Sequence, residues 1–276
     1  MTDSRNEGEA RPPADLDTSV AHPARVYDYW LGGKDNFAAD REAAEQAIAA
    51  NPTIVPGVRT NRAFLRRAVN YLASGAGIRQ FLDVGTGLPS ANNTHQVAQA
   101  VAPGSKVVYV DNDPIVLLHA RALLTGTPQG ATAYLDADVC DPGSVLAQAA
   151  ETLDLAEPVA LMLLAILQLI PDDANPHEIV ERLMDGLPAG SYLVITHPAS
   201  DVLPDAMAEM QRRLNDRQRV VTTFRPRPDV CRFFDGLDLI EPGLVQPHRW
   251  RPEPGDMWPD QEVTAWSGVA RKTRDG

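Results

Sequence analysis

Only two cysteines, Cys140 and Cys231, occur in 276 residues, far apart and outside any Cys-x-x-Cys or mixed His/Cys cluster. That spacing supports neither a disulfide framework nor a zinc site, so buried free thiols and no metal are expected. Basic residues are also scarce: 25 Lys and Arg stand against 37 Asp and Glu, a formal net charge of −12. A chain this acidic lacks the basic face on which nucleic-acid binders depend. No apolar run approaches the length of a membrane span, and the first residues, with Asp3, Glu7 and Glu9, lack the apolar core of a signal peptide. A cytoplasmic protein with no nucleic-acid or membrane partner is therefore expected. The length suits one large α/β domain with an added segment.

What the chain does have is concentrated in residues 81–113. An apolar strand over 81–84 runs into the loop Gly85-Thr86-Gly87-Leu88-Pro89-Ser90, then a helical segment, then a second apolar strand over 107–110 that ends in Asp111-Asn112-Asp113. A strand, a Gly-x-Gly turn and a helix bring bare backbone close to a ligand, and an acidic group closing the next strand can accept both hydroxyls of a ribose. This is the pattern of a nucleoside-cofactor site. Dinucleotide-binding and S-adenosylmethionine-binding sheets share it. The third glycine of the dinucleotide fingerprint is missing, since Ser90 stands in its place. Asp83, two residues before the first glycine, suits a cofactor's amino group and would repel a pyrophosphate.

The remaining segments are read in chain order. Residues 1–20, rich in Asp, Glu, Pro and Arg, are expected to be a disordered tail. Residues 21–77 are expected to form a helical cap: a segment carrying Tyr27, Tyr29, Trp30, Gly32, Gly33 and Lys34, then a helix to about residue 50 with Asp35 as its N-cap, then a helix over 61–73 capped by Thr60 and stopped by Gly75 and Gly77. The aromatics can pack over a bound cofactor or simply seat the segment on the main domain. Arg59 and Arg62 are candidates to grip a carboxylate. From residue 78 to 276 strands and helices alternate, with strands expected at 81–84, 107–110, 131–135, 159–164, 192–196, 237–245 and 263–270. Alternation predicts a parallel sheet with crossover helices, and the last two strands, with no helix between them, an antiparallel edge hairpin.

Four stretches together carry a resemblance that the glycine loop alone does not: residues 24–36 (ARVYDYWLGGKDN), 83–89 (DVGTGLP), 108–114 (VYVDNDP) and the pair 233–237 (FFDGL) with 241–243 (EPG). The chain resembles an actinobacterial family of S-adenosylmethionine-dependent methyltransferases catalogued as a domain of unknown function, over about residues 21–271. The resemblance implies a Rossmann-like, seven-stranded class I methyltransferase sheet with an N-terminal helical cap. It implies that Asp83, Gly85, Thr86 and Gly87 line the methionine part of the cofactor, that Asp111 holds the ribose hydroxyls with Asn112 beside the adenine, and that Asp138 and Val139 meet the adenine ring. It also implies that residues 25–36 fold over the cofactor, S-adenosyl-L-methionine, whose product form is S-adenosyl-L-homocysteine.

In many members of the family it resembles a Leu-His pair follows the fourth strand, where this chain has Leu167-Gln168, and an amide does not titrate. The remaining candidates for a base are His197, ending the fifth strand, and Asp172. A Pro-Cys nucleophile pair and an Asn/Asp-Pro-Pro-aromatic run, both marks of nucleic-acid methylation, are absent, which favours a small-molecule acceptor. Two readings of other classes stay open at this point: an NAD(P)-dependent oxidoreductase, and an S-adenosylmethionine-binding protein without catalysis. Oligomeric state has no signature in the sequence.

Overall fold

A computed structural model describes residues 17–89, 92–123, 127–253 and 262–273, with the backbone alone at 119–123. The tail expected over residues 1–20 lies outside the described residues up to position 16, as does Ser90. Seven strands, β1 (Gln80–Val84), β2 (Lys106–Asp111), β3 (Ala131–Asp136), β4 (Ala160–Leu164), β5 (Tyr192–Pro198), β6 (Asp238–Leu239) and β7 (Ala265–Arg271), form one sheet in the order β3-β2-β1-β4-β5-β7-β6. The first five are parallel, and β7 runs antiparallel between β5 and β6. The apolar runs of β1, β4 and β5 are what a sheet covered on both faces requires, and nearly all their residues are buried. Between β1 and β4 the chain direction of the sheet's winding reverses, which opens a crevice at the carboxyl ends of those two strands.

Helices α1 (Pro23–Leu31), α2 (Ala38–Ala50), α3 (Ile54–Asn70), α4 (Thr94–Val101), α5 (Pro114–Leu123), α6 (Pro142–Ala149), α7 (Pro176–Asp185), α8 (Pro204–Asn215) and α9 (Arg227–Arg232) surround the sheet. One face buries Leu82, Val108, Leu161 and Leu193 against α6, α7 and α9; the other buries Phe81, Tyr109 and Met162 against α3, α4 and Trp250. A third apolar cluster lies apart from both faces, where Val26 and Trp30 of α1, Ala43, Ala44 and Ala47 of α2, and Met207, Met210 and Leu214 of α8 meet. The residues expected as a separate cap are thus divided. Helices α1 and α2 belong to the third cluster, whereas α3 from Phe64 onward packs on the sheet itself.

Several local expectations are corrected. The expected strand over 237–245 shrinks to β6, because Pro242 has no N–H for the ladder and Gly243 turns at φ 83°; only Val245 rejoins, bridging to Ser267. The helix expected to begin at Asn61 begins at Ile54, and Thr60 lies within it, its hydroxyl turned onto the Gly57 carbonyl at 2.7 Å. Asp35 does not cap α2. Phe37 occupies the N-cap, and Asp40 three residues later accepts its N–H at 2.8 Å. Cys140 is exposed and Cys231 half-buried, so neither is the buried thiol expected.

Asp40 also ties α1 to α2. Its carboxylate, fully buried, accepts from the His22 N–H at 2.8 Å and pairs with the buried Arg25 guanidinium at 3.0 Å. A buried carboxylate that loses its cation, or the converse, leaves a desolvated charge. Asp40→Ala is therefore expected to lower the free energy of urea unfolding by about 3–5 kcal/mol. A change within the range of an exposed pair, below about 1 kcal/mol, would show that the pair does not hold the cap together.

Candidate functional site

A cavity of about 420 Å³ opens at the carboxyl ends of β1, β2, β4 and β5, beneath α1, the first turns of α3, and α8. Its first wall is the glycine loop. Gly85 and Gly87 have φ values of 74° and 65°, a region that costs other residues steric strain. A Cβ on Gly85 would lie 2.5 Å from Ile166, so the loop after β1 and the loop after β4 touch across the crevice. Gly87, by contrast, has open space where its Cβ would be.

Asp111, the last residue of β2, fixes this loop. Its carboxylate accepts from the Gly87 N–H at 2.8 Å and from the Asp113 N–H at 3.0 Å. Burial pushes its carboxyl above the usual value, and these two amides oppose the rise. Asp83 is 6% exposed and accepts from the Thr94 hydroxyl at 2.6 Å. Burial pushes its carboxyl up to about 6, and the Thr94 hydroxyl and the Arg62 guanidinium restrain the rise. Arg62 is aimed here by bonds to the Asn92 carbonyl (3.2 Å) and Asn93 Oδ1 (3.1 Å), and it lines the cavity; Arg59 is exposed and does not. Asn112, Asp138 and Val139 complete this side. Asp138 accepts from the Cys140 N–H at 2.9 Å, and the helix that follows is capped by Asp141 instead.

From the segment before α2 the structure brings only some residues to the cavity. Tyr27 and Trp30 line it, with the Tyr27 hydroxyl accepting from Asn61 Nδ2 at 2.8 Å and the Trp30 indole N–H donating to the Ala44 carbonyl at 3.3 Å. Tyr29, Gly32, Gly33 and Lys34 stand outside it. Tyr29 turns its hydroxyl to Glu45, Gly32 is the left-handed C-cap of α1, and Lys34 is exposed. Gly33 is required for a different reason: a Cβ there would fall 1.9 Å from the Asp28 carboxylate, which accepts from the Asp35 N–H and Asn36 Nδ2 and so closes the turn. His22 was not singled out by the sequence, yet its ring Nδ1 sits 3.0 Å from Asp113 Oδ2 and links the start of α1 to the loop after β2.

The three residues considered for catalysis have separate fates. His197 is fully buried, its Nδ1 bonded to the Pro198 carbonyl (2.8 Å) and its Nε2 to Arg225 (3.0 Å). A carbonyl only accepts and a guanidinium only donates, so the ring is the neutral Nδ1–H tautomer with no lone pair left over. Burial lowers its pKa to about 3. His197 is therefore a structural residue and not a base. Asp172 lies outside the cavity, paired with Arg225 at 2.6 Å. Gln168 does line the cavity: Nε2 donates to the Ala165 carbonyl at 2.7 Å, while its buried Oε1 has no partner. Arg225, which no sequence signal marked, holds this region. It is 3% exposed and donates to the Leu167 and Ile170 carbonyls, His197 and Asp172, fixing the loop that begins at Ala165, itself strained at φ 55°.

Backbone amides of a glycine loop, a carboxylate with accepting capacity beyond two amides, and a second carboxylate at the loop's base make a cradle for a nucleoside that carries an amino group. Among the described residues no group of three or more His, Cys, Asp and Glu side chains is placed to hold a metal, and no helix is long and apolar enough to cross a membrane.

Residues 9–273 match a family model described as S-adenosyl methyltransferase. A crystallised DUF574 family protein from Streptomyces avermitilis MA-4680 is 44% identical, with a TM-score of 0.89 over 93% of this chain and 99% of that one. A candidate methyltransferase from Thermobifida fusca YX is 40% identical, with a TM-score of 0.85 over 95% and 98% of the two chains. The plantazolicin methyltransferase BpumL, crystallised with a desmethylated plantazolicin analogue and S-adenosylhomocysteine, is 11% identical with a TM-score of 0.53 over 91% and 96%, a likeness of fold alone. No curated protein matches the chain. A glycine loop pinned by Asp111, a seven-stranded sheet with antiparallel edge strands, and a family model spanning nearly the whole chain agree: this protein belongs to the S-adenosyl methyltransferase family.

Proposed function

We propose that the protein transfers a methyl group from S-adenosyl-L-methionine to a small-molecule acceptor, with the cofactor lying across the carboxyl ends of β1 and β2. The observation that carries this reading is the placement of Asp111. Two of its acceptor positions hold the Gly87 and Asp113 amides, and the other lone pairs of the carboxylate remain for the two ribose hydroxyls. Asp83 and Arg62 then face the amino and carboxylate groups of the methionine part, and Asp138 and Val139 the adenine. Tyr27 and Trp30 offer aromatic faces that favour a cation. Bound there, the cofactor supplies an electrophilic methyl for in-line displacement.

Asp83 speaks against a dinucleotide, because a second negative charge would sit beside a pyrophosphate. The engagement of His197 and Asp172 with Arg225 is compatible with turnover, since aligning nucleophile and methyl can by itself lower the barrier by about 7–11 kcal/mol. It also supports a second reading, cofactor binding without catalysis, because His197 has both ring nitrogens engaged and Gln168 does not titrate.

Calorimetry separates these readings. S-adenosylmethionine or its demethylated product is expected to bind with micromolar affinity and NADH not at all; the reverse order would exclude a methyltransferase. Asp111→Ala is expected to weaken binding by about 1.5–3 kcal/mol, the scale of hydrogen bonds to a charged group. Unchanged affinity would remove Asp111 from the site.

A pH dependence follows from Asp83. An acid whose pKa is raised to about 6 in the free protein holds its proton below that pH, and a cofactor ammonium must displace it. Affinity is thus full above about pH 7 and falls as pH drops, by about tenfold at pH 5, the proton-competition factor for a group one unit above the pH. In Asp83→Asn this component of the pH dependence is expected to vanish. A wild-type profile flat from pH 7 to 5 would contradict an ionised Asp83 in the complex.

A further inference from the structure

The cavity has a second wall that the cofactor groups do not use, and its chemistry is different. Trp30 and Val58 come from below, Met207, Met210 and Leu214 from one stripe of α8, and Phe224 from the segment after it. Every residue that α8, the segment 218–224 and the start of β7 place on the cavity is uncharged. This is selective placement, because α8 also carries Glu209, Arg212 and Arg213, all engaged in salt bridges with one another and none on the cavity. The charged side chains that line the cavity stand elsewhere. Asp83, Asp111, Asp138 and Arg62 are on the cofactor wall, and Asp28 is engaged with the turn after α1.

Apart from His22 Nδ1, which faces Asp113, four buried polar atoms on cavity-lining residues have no hydrogen-bond partner: Asn61 Oδ1, Gln168 Oε1, Thr196 Oγ1 and Gln218 Oε1. Three are obligate acceptors and the fourth is a hydroxyl that can accept. The Gln168 amide cannot be turned the other way, because the Ala165 carbonyl it meets at 2.7 Å accepts only from its NH₂ group. Buried acceptors left alone cost free energy, and a ligand donor recovers it. Gln168 also stands at the crevice itself, two residues after Ile166, which packs on Gly85.

Resting on the methyltransferase reading, we infer that the second wall is the acceptor subsite, and that it takes an uncharged, largely apolar small molecule whose O–H or N–H donates to Gln168 Oε1. An anionic acceptor would find no cation on that wall, and a cationic one no carboxylate. The polarizable thioethers of Met207 and Met210 suit an aromatic body.

The test is titration of the protein, saturated with S-adenosylhomocysteine, against four probes of one shape: 2-naphthol, 2-naphthylamine, naphthalene, and naphthalene-2-sulfonate. Naphthol and naphthylamine are expected to bind, naphthalene about tenfold more weakly for want of one hydrogen bond, and the sulfonate not measurably. Gln168→Leu is expected to erase the preference for naphthol over naphthalene and leave S-adenosylhomocysteine affinity unchanged. Sulfonate binding as tight as naphthol, equal affinity for naphthol and naphthalene in the wild type, or no binding of any probe would each overturn the subsite. Failure of S-adenosylhomocysteine itself to bind would instead overturn the methyltransferase reading. The wild-type panel stands on its own if Gln168→Leu does not fold.

Discussion

The carboxylate of Asp111 is bonded at once to the loop that follows β1, through the Gly87 N–H, and to its own loop, through the Asp113 N–H. These two contacts set the shape of the proposed cofactor wall in the free protein. Asp113 is held in turn by the Ile115 N–H, at the start of α5, and by His22, at the start of α1. Burial alone would raise the Asp113 carboxyl, yet it lies below the usual value because His22, the Ile115 N–H and the Arg25 charge together outweigh burial. A short chain of bonds therefore runs from the glycine loop through two carboxylates to the first helix. A site assembled this way loses little further freedom when a nucleoside arrives, which is the condition under which modest contacts yield affinity.

The opposite wall depends on a buried cation. Arg225 uses its donors on two carbonyls, a carboxylate and a histidine, and thereby joins the loop after β4 to the end of β5. The consequence for chemistry is subtraction. Arg225 removes His197 and Asp172 from the set of usable bases, and of the two former candidates that line the cavity, His197 and Gln168, neither is a free base. On the proposed reading, catalysis would rest on position and on electrostatic surroundings instead of proton transfer from these residues, as a displacement at a sulfonium methyl permits.

The sheet was legible in the sequence because its signal is dense. Residues 107–110 are apolar, and 81–84 and 192–196 are broken only by Asp83 and Thr196, as strands buried on both faces require. The glycine loop and Asp111 were legible because backbone sterics leave few alternatives at those positions. The order β5-β7-β6 was less so, since β6 keeps only two ladder residues before Pro242 interrupts it. The cap was the hardest to read. Tyr27, Tyr29 and Trp30 look equivalent in the sequence, but helical geometry turns Tyr27 and Trp30 inward and Tyr29 out to Glu45. Gly33, in the same segment, makes room for the Asp28 carboxylate and not for a ligand. Arg225 and Asn61 left no trace, because a buried polar residue in an irregular segment, or one polar side chain on a helix, breaks no periodicity.

The account rests on Asp111 shaping the loop before the ligand arrives and then receiving the ribose. A crystal structure with S-adenosylhomocysteine tests this most directly. The account predicts both ribose hydroxyls within about 3.2 Å of the Asp111 carboxylate, the bond from Gly87 to Asp111 intact, and the homocysteine sulfur facing the wall formed by Gln168 and α8. A ribose bound away from Asp111, or a glycine loop that leaves Asp111 when the ligand binds, would contradict it.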